Sequence, residues 1–264
     1  MASSTWKVAA STEGMTISGD RFQFTTNATD PTQLSTVIDD LRHVARDTYG
    51  QYCGLARAAE MIGERWGLLI VRDLLVGPKT FAELHWGFPR IQADVLAMRL
   101  RDLVRGGVVR GPDPAQQSAE SAYELTEYGR MVEEALLALS RWGAVTLGTP
   151  RPEDVVTEDS MVMALRSAFR PAAARDISIG FELHVAETVT HVVVDHGDIK
   201  AGAGPLSDAD VVIESGTVLK DMLSGAVSPA DALASGQVRV IGDTALLDTF
   251  CQLFQLPAAP VPAV

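Results

Sequence analysis

The stretch that decides the architecture is Thr80-Phe-Ala-Glu-Leu-His-Trp-Gly-Phe-Pro-Arg-Ile-Gln-Ala-Asp-Val-Leu-Ala-Met-Arg-Leu-Arg-Asp-Leu-Val-Arg105, followed by Gly106-Gly107. Thr80 and Glu83 have capping-box spacing, in which hydroxyl and carboxylate each satisfy an amide left open at a helix start. Phe88-Pro89 ends that short helix, because proline disfavours helical geometry in the residue before it. A longer helix is predicted over residues 92–105, with Leu96, Leu100, Leu103 and Val104 forming one buried stripe. Asp94, Met98, Arg101 and Arg105 fall on the opposite face. Gly106-Gly107 stops the helix. Val108-Val-Arg110 and Ala122-Tyr-Glu-Leu125, on either side of a polar loop, read as two strands of a hairpin.

Upstream, Leu55, Ala58, Ala59, Ile62 and Trp66 mark one helix and residues 66–75 a second, stopped by Gly77-Pro78. Downstream, Thr126 opens a helix that carries Val132, Ala135, Leu136, Leu139 and Trp142 on one face. This order is that of a winged helix-turn-helix, in which the 92–105 helix would enter a major groove. A plain helical bundle with a solvated basic face fits the same pattern.

Charge sharpens the choice. The 264 residues carry a formal net charge of −12, which taken whole argues against a polyanionic partner. Residues 151–264 alone hold 7 basic against 16 acidic side chains. Residues 79–110 instead hold Lys79, Arg90, Arg99, Arg101, Arg105 and Arg110 against Glu83, Asp94 and Asp102. That basic island is a footprint for phosphates, and exposed arginines on the helix could bind guanine edges.

The run Cys53-Gly-Leu-Ala-Arg-Ala-Ala-Glu-Met-Ile-Gly-Glu-Arg-Trp-Gly-Leu-Leu-Ile-Val-Arg-Asp-Leu74 resembles the opening of the HxlR family of transcription regulators, a MarR-like branch of winged helices. The likeness continues through Phe81-Ala-Glu-Leu84, Ile91, Leu96, Arg99-Leu100, Leu103, Gly107, Tyr123-Glu-Leu-Thr126, Gly129 and Trp142. It implies a homodimer on a palindromic stretch of double-stranded DNA, with the 126–142 helix as the seam. The expected DNA-binding residues are Lys79, Thr80, Arg90, Gln92, Ala93, Asp94, Met98, Arg99, Arg101, Arg105 and Arg110. Two departures stand out: Gln92-Ala-Asp94 where the family usually has a serine cap, and an acidic wing tip with Asp113 and Glu120. Cys53 occupies the position where many members carry a redox-sensing cysteine, and a helix start favours its thiolate. A small buried apolar residue is the plainer reading of the same position.

Residues 1–30 read as an N-terminal arm, a loose segment or a short hairpin around Phe22 and Phe24. Asp30-Pro31 opens an amphipathic helix over 31–46, so the winged domain is expected to span 31–147. Residues 148–154, with two prolines, are the expected linker.

From 155 to 264 the pattern is α+β, so the fold expected is α+β in two domains. Strands are predicted at 177–185, 189–195, 210–214 and 238–241, with helices at 216–224, 228–235 and 243–255. Ala209-Asp-Val-Val-Ile-Glu214, the helix ending at Gly225, Ser228-Pro-Ala-Asp-Ala232 and Gly236-Gln-Val-Arg-Val-Ile-Gly-Asp243 resemble the sterol-carrier-protein type 2 domain. The resemblance implies a curved sheet over an apolar tunnel, with Phe169, Phe181, Met222, Phe250 and Phe254 as candidate lining. Ordinary core packing accounts for each of these singly.

Other chemistry is expected to be absent. His184, His191, Asp195 and His196 lack tetrahedral ligand spacing, so no metal is expected, and no cofactor or enzymatic motif is read. Apolar runs are too short to span a bilayer, and two cysteines, Cys53 and Cys251, suit a reducing cytoplasm. The sequence therefore predicts a cytoplasmic, dimeric DNA-binding regulator whose C-terminal domain senses a hydrophobic small molecule. The alternative is a lipid-type carrier that uses a degenerate winged helix for dimerisation.

Overall fold

A computed structural model describes residues 15–18, 21–24, 48–112, 121–148 and 150–258. The expected 31–46 helix and the acidic wing tip lie outside these residues. The chain forms two compact units, Met1–Glu60 and Met61–Val264.

In the first unit, β1 (Met15–Ser18) and β2 (Arg21–Phe24) pair antiparallel with Ser18 opposite Arg21, which is the hairpin form of the arm. Thr48 Oγ1 and the Tyr49 amide both donate to Glu60 Oε1, at 3.0 and 2.9 Å. Exposed Cys53 precedes α1 (Gly54–Ile62), the helix that carries the chain into the second unit.

The second unit opens with α2 (Gly67–Val76), β3 (Lys79–Thr80), α3 (Phe81–Gly87) and α4 (Ala93–Arg105). The wing follows as β4 (Val109–Arg110) and β5 (Ala122–Leu125), then α5 (Glu127–Arg130) and α6 (Glu133–Ala144). The single helix expected from Thr126 is thus assigned as two segments. The wing has a third strand, in the order β3-β5-β4. Two residues of β3 carry too little periodicity to announce themselves in sequence. The capping box forms as expected: Glu83 N–H donates to Thr80 Oγ1 at 3.2 Å, and Thr80 N–H to Glu83 Oε2 at 2.7 Å. Gly129 is required where α5 meets the wing, since a Cβ there would lie 2.1 Å from the Val108 carbonyl oxygen. Ile70, Leu74, Leu84, Leu96, Leu100 and Leu103 are fully buried at the centre of this core. Val104, expected in the buried stripe, is instead 39% exposed, because it lies one residue beyond the Leu96–Leu100–Leu103 arc.

A second core follows. Helix α7 (Glu158–Ala168) precedes a five-stranded sheet of β6 (Ser178–Val185), β7 (Thr188–Asp195), β8 (Asp198–Ala203), β9 (Val211–Ser215) and β10 (Val238–Gly242). The order is β10-β9-β6-β7-β8, antiparallel except for the parallel β6–β9 pair. Helices α8 (Val218–Leu223), α9 (Pro229–Ala234) and α10 (Leu246–Leu253) complete it. Both α7 and β8 escape the sequence reading. β8 ends in Ala201-Gly-Ala203, whose small residues mask its alternation; Gly202 is small because the His191 ring lies 2.9 Å from where a Cβ would sit.

Helix α7 belongs to both cores. Val162, Leu165 and Ala168 are buried, with Leu165 and Ala168 in the sheet core, while Met163 is part of the winged core. Across this seam Arg166 donates to the Leu75 carbonyl at 3.2 Å and pairs with Glu133 at 3.3 Å. Arg141 donates to the Ser167 carbonyl at 3.1 Å.

Candidate nucleic-acid interface

Helix α4 is amphipathic: Leu96, Leu100 and Leu103 hold it to the core, leaving Gln92, Ala93, Asp94, Arg101 and Arg105 exposed, with Met98 half-buried. Its start explains one departure from the family pattern. The Gln92 side chain does not cap the helix amides, and Asp94 in the first turn accepts from the Val95 amide at 2.9 Å. A carboxylate there also meets the positive end of the helix dipole, so Asp94 has a structural reason to be acidic.

The basic side chains divide by what they hold. Lys79 pairs with Asp159 of α7 at 2.9 Å and is only 18% exposed, so its ammonium ties β3 to the seam. Arg99, 21% exposed, bridges Glu64 at 3.1 Å and Asp102 at 3.3 Å. Thr80 is engaged in its capping box. Arg90, Arg105 and Arg110 are well exposed and pair with Glu153 at 3.5 Å, Asp102 at 3.7 Å and Glu124 at 2.9 Å. Exposed pairs of this kind are worth about 0–1 kcal/mol and can exchange a carboxylate for a phosphate. Arg101 has no carboxylate partner among the described residues, and it projects from the exposed face of α4. This division was invisible in sequence, because the acidic partners come from positions as distant as Glu64, Glu153 and Asp159.

Beside α4 is an open cleft of about 380 Å³, lined by Arg65, Trp66, Arg90, Gln92, Val95, Met98 and Arg99. Trp66, at the helix boundary that the sequence predicts, caps α2 in a left-handed conformation, φ 81°. Its ring packs on Phe88 at 6.1 Å and carries the Arg65 guanidinium at 5.3 Å. The next residue must be glycine, since a Gly67 Cβ would lie 2.6 Å from the Ile62 carbonyl oxygen.

Cys53 is exposed, and the amides of Ala56 and Leu55 hold its thiol below the usual value. Cys251 is half-buried, and burial pushes it up to about 11. The candidate tunnel residues lie in the sheet core: Phe181, Met222, Phe250 and Phe254 are buried members and Phe169 packs against them. Their rings touch, with centroids 5.1 Å apart for Phe181–Phe250, 4.7 Å for Phe250–Phe254 and 5.6 Å for Phe169–Phe254. A ligand there would have to part rings already in contact. The histidines serve local bonds, His184 with Glu182 at 2.6 Å, His191 with the Gly204 carbonyl at 2.9 Å and His196 with Asp195 at 2.7 Å. Among the described residues no group of three His, Cys, Asp or Glu side chains is arranged to hold a metal, and no helix is long and apolar enough to cross a membrane.

Comparison with known proteins places this geometry in context. The model of a family described as HxlR-like helix-turn-helix matches residues 61–149. The uncharacterised HTH-type transcriptional regulator Mb3122 of Mycobacterium bovis is 39% identical over 101 residues, 38% of this chain. The match spans 61% of that relative's own length. The uncharacterised HTH-type transcriptional regulator YdeP of Bacillus subtilis is 32% identical over 91 residues, 34% of this chain and 71% of the relative. The solved structure of quinone-bound YodB from B. subtilis is 29% identical, covering 34% of this chain and 96% of that one, with a TM-score of 0.31.

Proposed function

The chain belongs to the HxlR-like helix-turn-helix family, and from that premise we propose that it is a DNA-binding transcription regulator that acts as a homodimer. The observation that carries the reading is the exposed face of α4, where Arg101 stands without a carboxylate partner among the described residues. A bidentate arginine on guanine O6 and N7 is the commonest specific contact in a major groove. Arg90, Arg105 and Arg110 surround it and can exchange their exposed carboxylates for phosphates. The direct test is binding of the parent and Arg101→Ala proteins to duplex DNA from upstream of the protein's own gene, against a scrambled duplex.

The surface around α5 and α6 supports the dimeric reading. Tyr128, Met131, Leu139 and Trp142 are exposed on and between these two helices, with Leu139 and Trp142 one turn apart on α6. Exposed apolar residues grouped in this way suit an association surface. A two-fold dimer would present two α4 helices to two half-sites. The sheet module, by its resemblance to sterol-carrier domains, is the part that would receive an apolar effector, on condition that the packed Phe181, Phe250 and Phe254 rings part to admit it. Helix α7, shared by both cores, is the element through which such a signal would pass.

Cys53 adds a redox input to this reading. Its exposure and lowered pKa favour a reactive thiolate, the reverse of Cys251. Iodoacetamide at neutral pH should label Cys53 first, as read by peptide mass spectrometry; equal or preferential labelling of Cys251 would remove the sensor from the account.

A further inference from the structure

We propose that residues 151–159 form an acidic strap that competes with DNA for Arg90 and so holds down the affinity of the winged part. The proposal rests on the DNA-binding reading above and concerns its regulation.

The strap is shaped by its own sequence. Residues 151–159 carry Glu153, Asp154, Glu158 and Asp159 against Arg151 alone. Arg151 folds the segment into a tight turn: its amide and Nε donate to Asp154 Oδ2 at 2.9 and 3.2 Å, and its Nη2 donates to Oδ1 at 3.0 Å. The Asp154 amide donates back to the Arg151 carbonyl at 2.9 Å. Asp154 is thereby engaged within the turn, and Glu153 is the carboxylate that reaches Arg90, with Oε1 3.5 Å from Arg90 Nη2 and 3.8 Å from Arg151 Nε. Bonds from Arg151 hold the Asp154 carboxyl below its usual value, and Arg90 adds to that pull. Arg90 therefore faces two carboxylates of the strap.

The far end is pinned. Thr157 caps α7, its Oγ1 accepting from the Ser160 amide at 3.1 Å, and Asp159 pairs with Lys79 of β3 at 2.9 Å. The strap thus runs directly into the helix that both cores share.

Its position makes it a competitor. Arg90 is exposed two residues before Gln92, the cap of α4, where a phosphate contact would orient the recognition helix. The strap carboxylates place negative charge where that phosphate must come, so DNA takes Arg90 only as Glu153 gives it up. A carboxylate on the same chain acts at a fixed local concentration, whatever the amount of DNA. Both partners are exposed, 56% and 50%, which suits a brake that DNA can release.

The test measures affinity by fluorescence polarisation, with a duplex from upstream of the protein's own gene and the full chain. Glu153→Gln should tighten binding by about three- to tenfold at low salt, with two straps released per dimer and the gain shrinking as salt rises. Glu187→Gln, the same charge change at the exposed turn between β6 and β7, should gain less than about twofold. In an Arg90→Gln background the Glu153→Gln gain should vanish, because the pair it breaks is already absent. Thermal melting of Glu153→Gln should match the parent. A Glu153→Gln protein that binds no tighter, a gain matched by Glu187→Gln, or a gain that survives in the Arg90→Gln background would overturn the strap and leave the DNA reading standing. No DNA binding at low salt by either the parent or Glu153→Gln removes the DNA reading, and the strap with it.

Discussion

Asp73 shows what a single side chain can do to this protein. It is 1% exposed on α2, with Oδ1 bonded to Arg72 at 2.7 Å and Oδ2 buried without a hydrogen-bond partner among the described residues. Burial pushes its pKa up to about 6, against the attraction of Arg72 and Lys79 and with some repulsion from Asp159. The unfolded chain keeps the ordinary value of 3.8, so between those two values the native state binds the proton more tightly. Asp73 therefore contributes most favourably at acid pH; that contribution falls as pH rises from about 4 to about 6 and is level above. The span is worth about 3 kcal/mol. Asp73→Asn should lose this part of the pH dependence. In urea unfolding, the parent's stability relative to the variant should fall on going from about pH 4.5 to about pH 7.5. A variant that tracks the parent across that range would contradict the assignment.

The lesson of the elements is that the basic island is smaller than its count. Lys79 and Arg99 are half-buried in ion pairs, whereas Arg110 on β4 pairs only at an exposed position. Each phosphate contact adds about 0.9 to the slope of log affinity against log salt. Lys79→Ala should leave that slope unchanged and lower thermal stability, while Arg110→Ala should reduce the slope by about one with little effect on stability. A Lys79 variant with a reduced slope would place that ammonium on DNA instead of on Asp159. The helices of the winged part were legible because their signals are local: the Thr80–Glu83 capping box, the Phe88-Pro89 stop and the Leu96–Leu100–Leu103 stripe all act within one or two turns. The fate of each charge was not, because Lys79–Asp159 and Arg99–Glu64 join positions that only the tertiary fold brings together. Helix α7 escaped because its apolar residues serve two cores, Met163 on one side and Leu165 on the other, which blurs a single stripe. The left-handed Trp66 had one local signal, the Gly67 that follows it, and that is too common a residue to be decisive.

Across the whole molecule, the acidic total conceals a division of labour. Residues 151–264 hold the excess of carboxylates, yet Glu153 and Asp159 pair with Arg90 and Lys79 of the winged part. The C-terminal part thereby tempers the basic island as well as packing against it. Association belongs to this scale too. With Trp142 77% exposed on α6, Trp142→Glu should shift the chain from dimer toward monomer in sedimentation analysis and keep its circular dichroism spectrum. A variant as dimeric as the parent would move the seam elsewhere.

In the proposed function, α4 reads DNA through Arg101. Fluorescence polarisation with a labelled duplex from upstream of the protein's own gene measures it most directly, for parent and Arg101→Ala, at low and moderate salt. The parent should prefer this duplex over a scrambled one and weaken steeply with salt, and Arg101→Ala should lose about 1–3 kcal/mol per half-site together with most of the preference. No binding by the parent at low salt, or an Arg101→Ala protein with undiminished preference, would contradict it.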